Sequence, residues 1–95
     1  MRIGKDDAKE ASNIRKHKFD FSFADLIFRD PLAITVYDRF ENGEDRWHTF
    51  SMVRGVLLLV VHTYPDPGDD QWIRVIGLRK ATPHERKCYE QGRFD

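Results

Sequence analysis

The stretch Arg46-Trp47-His48-Thr49-Phe50-Ser51-Met52-Val53-Arg54-Gly55-Val56-Leu57-Leu58-Leu59-Val60-Val61-His62-Thr63-Tyr64 decides the fold. Residues 46–53 alternate in character, the period of a strand. Residues 56–61 are apolar without a break, which predicts a central strand covered on both faces. Arg54-Gly55 between them fits a two-residue hairpin turn, with the glycine free to take positive φ. Symmetric pairing about that turn opposes residues whose numbers sum to 109, so His48 meets Val61 and His62 meets Trp47. The two histidines then project from opposite faces. That weighs against a His–His acid–base pair and leaves one histidine open as a general acid.

Working outward, residues 33–37 and 72–79 carry the β-branched, aromatic or alternating patterns of two further strands. Residues 38–45 read as a polar loop with Asn42-Gly43 near its tip, and residues 65–70 as a longer turn. Residues 6–18 predict a helix, with Asp6 and Asp7 near its start and Arg15, Lys16 and His17 in its last turn, as the helix dipole favours. Asp20 is placed to cap a short helix over 21–28, which Asp30-Pro31 terminates. Thr82-Pro83-His84-Glu85 is a capping box for a last helix that runs to 90 or 91 and stops at Gly92. The expected architecture is a single α+β domain over 1–95. Two N-terminal helices and a C-terminal helix pack on a four-stranded antiparallel sheet.

Lys plus Arg and Asp plus Glu number 16 each, so the net charge is zero and the whole chain does not announce a nucleic-acid binder. The distribution is uneven. Residues 1–18 and 74–95 each hold six basic groups against three acidic, whereas 19–73 hold four against ten. If the basic ends meet in space they form a surface for a polyanion; otherwise they are ordinary solvated faces. The six-residue apolar run is far short of the ~20 residues a membrane helix needs. No apolar leader follows Met1, and one cysteine, Cys88, fits a reducing compartment. The reading is a cytoplasmic protein with no membrane partner. No metal-ligand spacing and no phosphate-cradling glycine loop is present, so no metal and no cofactor is expected. Cys88, in mid-helix, reads as a packed side chain.

Several blocks in order resemble the BrnT family of toxins. They are Asp6-x-x-Lys9-x-x-x-Asn13-x-x-Lys16-His17; Phe21, Ala24, Phe28, Asp30 and Pro31; Asp38 and Gly43-Glu44-Asp45-Arg46; Leu58-x-Val60-Val61-x-Thr63; Ile73-Arg74-x-Ile76; and Arg79-Lys80-Ala81-Thr82-x-x-Glu85-Arg86-x-x-Tyr89-Glu90. Lys5, Lys18 and Gly77 stand where the family usually has Trp, Gly and Ser. The resemblance implies a RelE-like fold and a metal-independent endoribonuclease that inhibits translation. It also implies a BrnA-like ribbon-helix-helix antitoxin that binds the toxin in a heterotetramer and alone contacts operator DNA.

Metal-independent RNA cleavage needs a base for the 2′-OH, cations for the charged phosphorane and an acid for the departing 5′-oxygen. Arg79 and Lys80 at the end of the last strand supply cations, and Arg46 offers a second planar fork. Glu44 serves either as base or as an ion-pair partner that orients Arg46. Tyr89 is either a core residue with its hydroxyl at the rim or an RNA contact. The basic segments add Lys9, Lys16, His17, Arg74 and Arg86 as candidate RNA contacts; for His17 a helix C-cap role is sufficient. Two other readings stay open. One is a catalytically inactive module that only partners the antitoxin and acts as co-repressor. The other is an adaptor that binds a peptide through Trp47 and Trp72.

Overall fold

The computed structural model describes residues 1–94; Asp95, which enters the C-terminal charge balance above, lies outside them. Along the chain come β1 (Arg2–Lys5), α1 (Asp7–His17), α2 (Phe23–Arg29), β2 (Ile34–Glu41), β3 (Glu44–Val53), β4 (Val56–Thr63), β5 (Trp72–Lys80) and α3 (Pro83–Gln91). The strands form one sheet in the order β1-β5-β4-β3-β2. All neighbours are antiparallel except β1 and β5, which run parallel.

The β3–β4 hairpin has the expected register, with Trp47 opposite His62 and His48 opposite Val61. Arg54 and Gly55 turn the chain at φ 51° and 80°, the left-handed pair that matches strand twist. β4 is the middle strand, and its unbroken apolar run has the predicted reason. Leu58 and Val60 bury against Phe21, Ala24 and Ile27 on one face. Leu57 and Leu59 bury with Phe50 on the other face, where Tyr89 of α3 and Phe94 pack on them. The sheet thus lies between α2 and α3. Among the described residues, no helix is long and apolar enough to cross a membrane.

Three expectations are corrected. The sheet has five strands, one of them parallel, instead of four antiparallel ones. β1 escapes detection because Arg2-Ile3-Gly4-Lys5 is too short to show a period and is defined only by pairing with Trp72–Val75. The polar 38–45 loop is mostly strand, since β2 runs to Glu41 and β3 starts at Glu44 around a tight turn at Asn42 (φ 53°) and Gly43 (φ 79°). This ribbon is largely exposed, so its side chains carry no apolar alternation. Finally, α2 begins at Phe23, and Asp20 accepts hydrogen bonds from the Ser22 amide and hydroxyl instead of capping the helix.

One side chain fixes α1. β1 covers the edge of β5 only as far as Val75. Beyond it, buried Asn13 takes over. Its Oδ1 accepts from the Leu78 amide at 3.0 Å, and its Nδ2 donates to the Leu78 carbonyl at 2.7 Å and to the Phe19 carbonyl at 2.9 Å. The carboxamide therefore continues the ladder where the strand stops and ties α1 to β5. Asn13→Ala strands two buried backbone groups and is expected to cost about 3 kcal/mol. Thermal unfolding checks this as a Tm lowered by roughly 15 °C for a domain of this size; a fall of only a few degrees would mean the edge is satisfied without Asn13.

Candidate functional site

A cleft of about 730 Å³ opens between α1 and the sheet. α1 contributes Lys9, Ser12, Asn13, Lys16 and His17, whose spacing puts them on one helical face. β3 contributes Arg46 and His48, two residues apart and so on one face of the strand. β5 contributes Gly77 and Arg79, and β2 contributes Asp38 and Arg39. A bulge lies between Tyr37 and Arg39, where Asp38 is the extra residue. Gly77 adjoins Asn13, and a Cβ built there would stand 3.5 Å from Asn13 Oδ1.

All three arginines that line the cleft are held by carboxylates. Arg79 binds Glu85 through two nitrogens, at 2.7 and 3.1 Å. The same Glu85 accepts from the Thr82 amide at 2.8 Å, while Thr82 Oγ1 accepts from the Glu85 amide, so the capping box of α3 and the arginine clamp share one carboxylate. Burial alone would raise the Glu85 pKa, but the hydrogen bonds from Arg79 and Thr82 and the arginine's charge hold it at about 2. Arg46 Nη1 lies 3.1 Å from Glu41, which also accepts from Arg39 at 3.1 Å. Arg46 Nε is buried without a hydrogen-bond partner among the described residues.

The histidines divide as the register requires. His62 is fully buried on the α2 face, 2.7 Å from Thr49 Oγ1 and edge-on to Phe28 and Tyr64. Burial lowers its pKa to about 4, so it is a neutral core residue. His48 lines the cleft with its Nε2 3.5 Å from Asp38 Oδ2. Its pKa is lowered by burial, with Asp38 opposing and Arg79 reinforcing the shift.

Of the sequence candidates, the structure brings together Arg46, Arg79, Lys9, Lys16 and His17. It places the others elsewhere. Glu44 pairs with Arg74, not with Arg46. Lys80 is exposed one position beyond Arg79, and only its carbonyl meets the arginine, accepting at 3.2 Å. Tyr89 packs on the Phe50 cluster. Arg86 pairs with Glu90 one turn along α3 at 2.8 Å. Sequence reasoning missed Arg39, held Asp38 only as part of the family pattern with no role, and left His48 open as one of the histidines that could serve as general acid. Hairpin arithmetic had separated His48 from His62 but could not say which face lay under α1, and the bulge that turns Asp38 toward the cleft leaves no mark in the sequence. Among the described residues, no group of three His, Cys, Asp or Glu side chains is arranged to hold a metal ion.

Two further loops meet away from the cleft. The tip of the β2–β3 hairpin and the 65–70 turn enclose a groove of about 430 Å³ walled by Phe40, Trp47 and Tyr64. Trp47 alternates with Arg46 and His48 along β3, so this groove lies on the other face of the sheet.

A family model described as the ribonuclease toxin BrnT of type II toxin–antitoxin systems matches residues 6–85. No curated protein matches the chain at a significant level.

The shared carboxylate gives a pH test. A folded-state value near 2 against an unfolded one of 4.5 means that Glu85 contributes stability that is complete above pH 4.5 and is lost as the pH falls toward 2. Glu85→Gln should be less stable than the wild type at neutral pH, and the gap should close through that window in urea titrations. A constant gap from pH 6 to pH 2.5 would show that the carboxylate's charge is not the stabilising element.

Proposed function

The chain belongs to the BrnT family of ribonuclease toxins of type II toxin–antitoxin systems, and from that membership we propose that it cuts RNA in the α1–sheet cleft without a metal ion. Cutting RNA in this way stops translation, and a BrnA-like ribbon-helix-helix antitoxin holds the toxin inactive in a heterotetramer. The observation that carries the proposal is the convergence of Lys9, Lys16, Arg39, Arg46 and Arg79 from four separate elements onto one cleft.

The chemistry follows from the residues. A phosphodiester entering the cleft meets two planar guanidinium forks, each able to bind two phosphate oxygens. Arg46 is held by Glu41 through Nη1, and Arg79 is presented by Glu85 in a fixed orientation. The 2′-oxygen attacks phosphorus, the bond to the 5′-oxygen breaks, and the arginines stabilise the charge that builds on the phosphorane between them. Proton transfer falls to the cleft's titratable groups His17, His48 and Asp38. A cleft whose cations outnumber its carboxylates favours a polyanion over a divalent ion, which supports the metal-independent route. With zero net charge on the whole chain, the reading leaves operator DNA to the antitoxin.

Gly77, bare in the cleft where the family usually carries a serine, favours the second reading, a catalytically inactive partner and co-repressor. One set of measurements separates the two. Purified protein is mixed with total cellular RNA, translating ribosomes included. Arg79→Ala should cut RNA at least ~100-fold more slowly while retaining its fold and antitoxin binding. RNA affinity should fall about 100-fold between 50 and 200 mM salt, as five cationic contacts to a single strand require. Wild-type protein that leaves RNA intact while binding antitoxin selects the inactive partner; a salt-insensitive affinity would remove the cationic cleft as the RNA site.

A further inference from the structure

The second groove lies apart from the cleft proposed for RNA cleavage, and its composition is opposite to that of the cleft. Phe40 and Tyr37 stand 66% and 50% exposed beside it, an unusual cost for large aromatic side chains without a partner. Trp47 packs edge-on against Tyr37 at 5.1 Å and Tyr64 at 5.8 Å, a rigid aromatic wall. Around that wall stand Asp45, Asp66 and Asp70. Among the described residues no basic side chain lies within salt-bridge distance of these three, whereas Glu44 beside them is taken by Arg74. Each uses one carboxylate oxygen in a neutral hydrogen bond: Asp45 with the Tyr37 hydroxyl at 2.9 Å, Asp66 with the Gly68 amide at 2.9 Å, and Asp70 with Gln71 Nε2 at 3.3 Å. Three uncompensated carboxylates against aromatic faces select a cation with an apolar stem, the side chain of arginine or lysine. The same charge repels RNA.

The neighbouring strand supplies the backbone half of a recognition site. Among the described residues β2 is the last strand of the sheet, so its outer edge presents backbone groups that no other strand there pairs. It also connects the two sites, because Phe40 walls the groove while Asp38 and Arg39 line the cleft.

We propose that the free edge of β2 and the acidic aromatic groove together dock an extended, arginine- or lysine-bearing segment of the antitoxin. The segment pairs with β2 as an added strand and seats a basic side chain against Trp47 and Tyr64. Running along β2, it passes the rim of the cleft at Arg39, so a contact made on the far face of the sheet brings the antitoxin to the place where RNA enters. This inference rests on the antitoxin reading above, and the test tells the two apart.

The test uses the full chain and two probes. The first is an eight-residue peptide alternating arginine and valine, matched to the length of β2, with a glutamate-for-arginine peptide as control. In amide NMR spectra the arginine peptide should shift residues 36–47 and 64–70, leave residues 9–17 unmoved, and bind more weakly as salt rises; the glutamate peptide should not bind the groove. The second probe is the protein encoded beside this chain's own gene. The triple variant Asp45→Asn, Asp66→Asn, Asp70→Asn keeps every acceptor oxygen used within the groove, so it should fold and cut RNA as the wild type does. It should bind both probes at least ~10-fold more weakly. Equal affinity of wild type and variant for the neighbouring protein, or peptide shifts confined to the cleft, overturns the docking surface while leaving the antitoxin reading standing. A wild-type chain that binds no neighbouring protein overturns the antitoxin reading and the docking surface with it.

Discussion

The carboxamide of Asn13, bonded to both backbone groups of Leu78, is the contact on which the rest of the arrangement depends. A sheet edge left open in mid-strand exposes paired donors and acceptors that must find partners or water. Here β1 pairs only with the first half of β5, and beyond it a single side chain satisfies both backbone groups of Leu78. Because it belongs to α1, closing the edge also sets the height and rotation of that helix. Lys9, Lys16 and His17 face the sheet across the cleft as a consequence of their spacing from Asn13, four residues before it and three and four after it.

The second constraint is electrostatic. Lys9, Lys16, Arg39, Arg46 and Arg79 crowded into one cleft repel one another, and the fold holds its three arginines with carboxylates drawn from outside the sheet centre. Glu85 serves Arg79 and the first turn of α3 together, so the helix N-terminus cannot loosen without releasing the arginine. Glu41 spans Arg39 and Arg46. Such pairing fixes the guanidinium planes before any phosphate arrives, and orientation established in advance lowers the cost of binding a charged transition state. A carboxylate in the fork has the planar, two-oxygen shape of the anion that the proposed RNA site calls for.

How far the sequence made this legible follows from which features are local. The β3–β4 hairpin register was readable because Arg54-Gly55 fixes the turn and side chains alternate at a period of two, so that arithmetic alone separates His48 from His62. The capping box at Thr82–Glu85 was readable for the same reason. Lys18 explains a family habit: it ends α1 at φ 68°, a left-handed position where glycine is the unstrained choice. What stayed hidden depends on partners distant in sequence. β1 exists only through β5, and Asp38 enters the cleft only through a bulge. Glu44 illustrates the limit best. Its neighbour in sequence, Arg46, was the natural partner, but Arg74, thirty residues away, takes it.

The zero net charge now has a spatial meaning. Along β3, Arg46 and His48 point to the cleft while Trp47 points to the opposite face, so one strand lines two surfaces of opposite character. The ten acidic groups of the central segment include Asp45, Asp66 and Asp70 at the groove, whereas α1 and the end of β5 bring cations to the other face. A sheet several strands wide, with a buried apolar core between these faces, keeps the two fields from cancelling at short range; over longer distances they sum to nothing. Such a molecule is not drawn to every polyanion it meets, because steering by the whole-chain charge is absent. Selectivity is left to the cleft itself, at distances where the arginine forks and the carboxylates that hold them decide what binds.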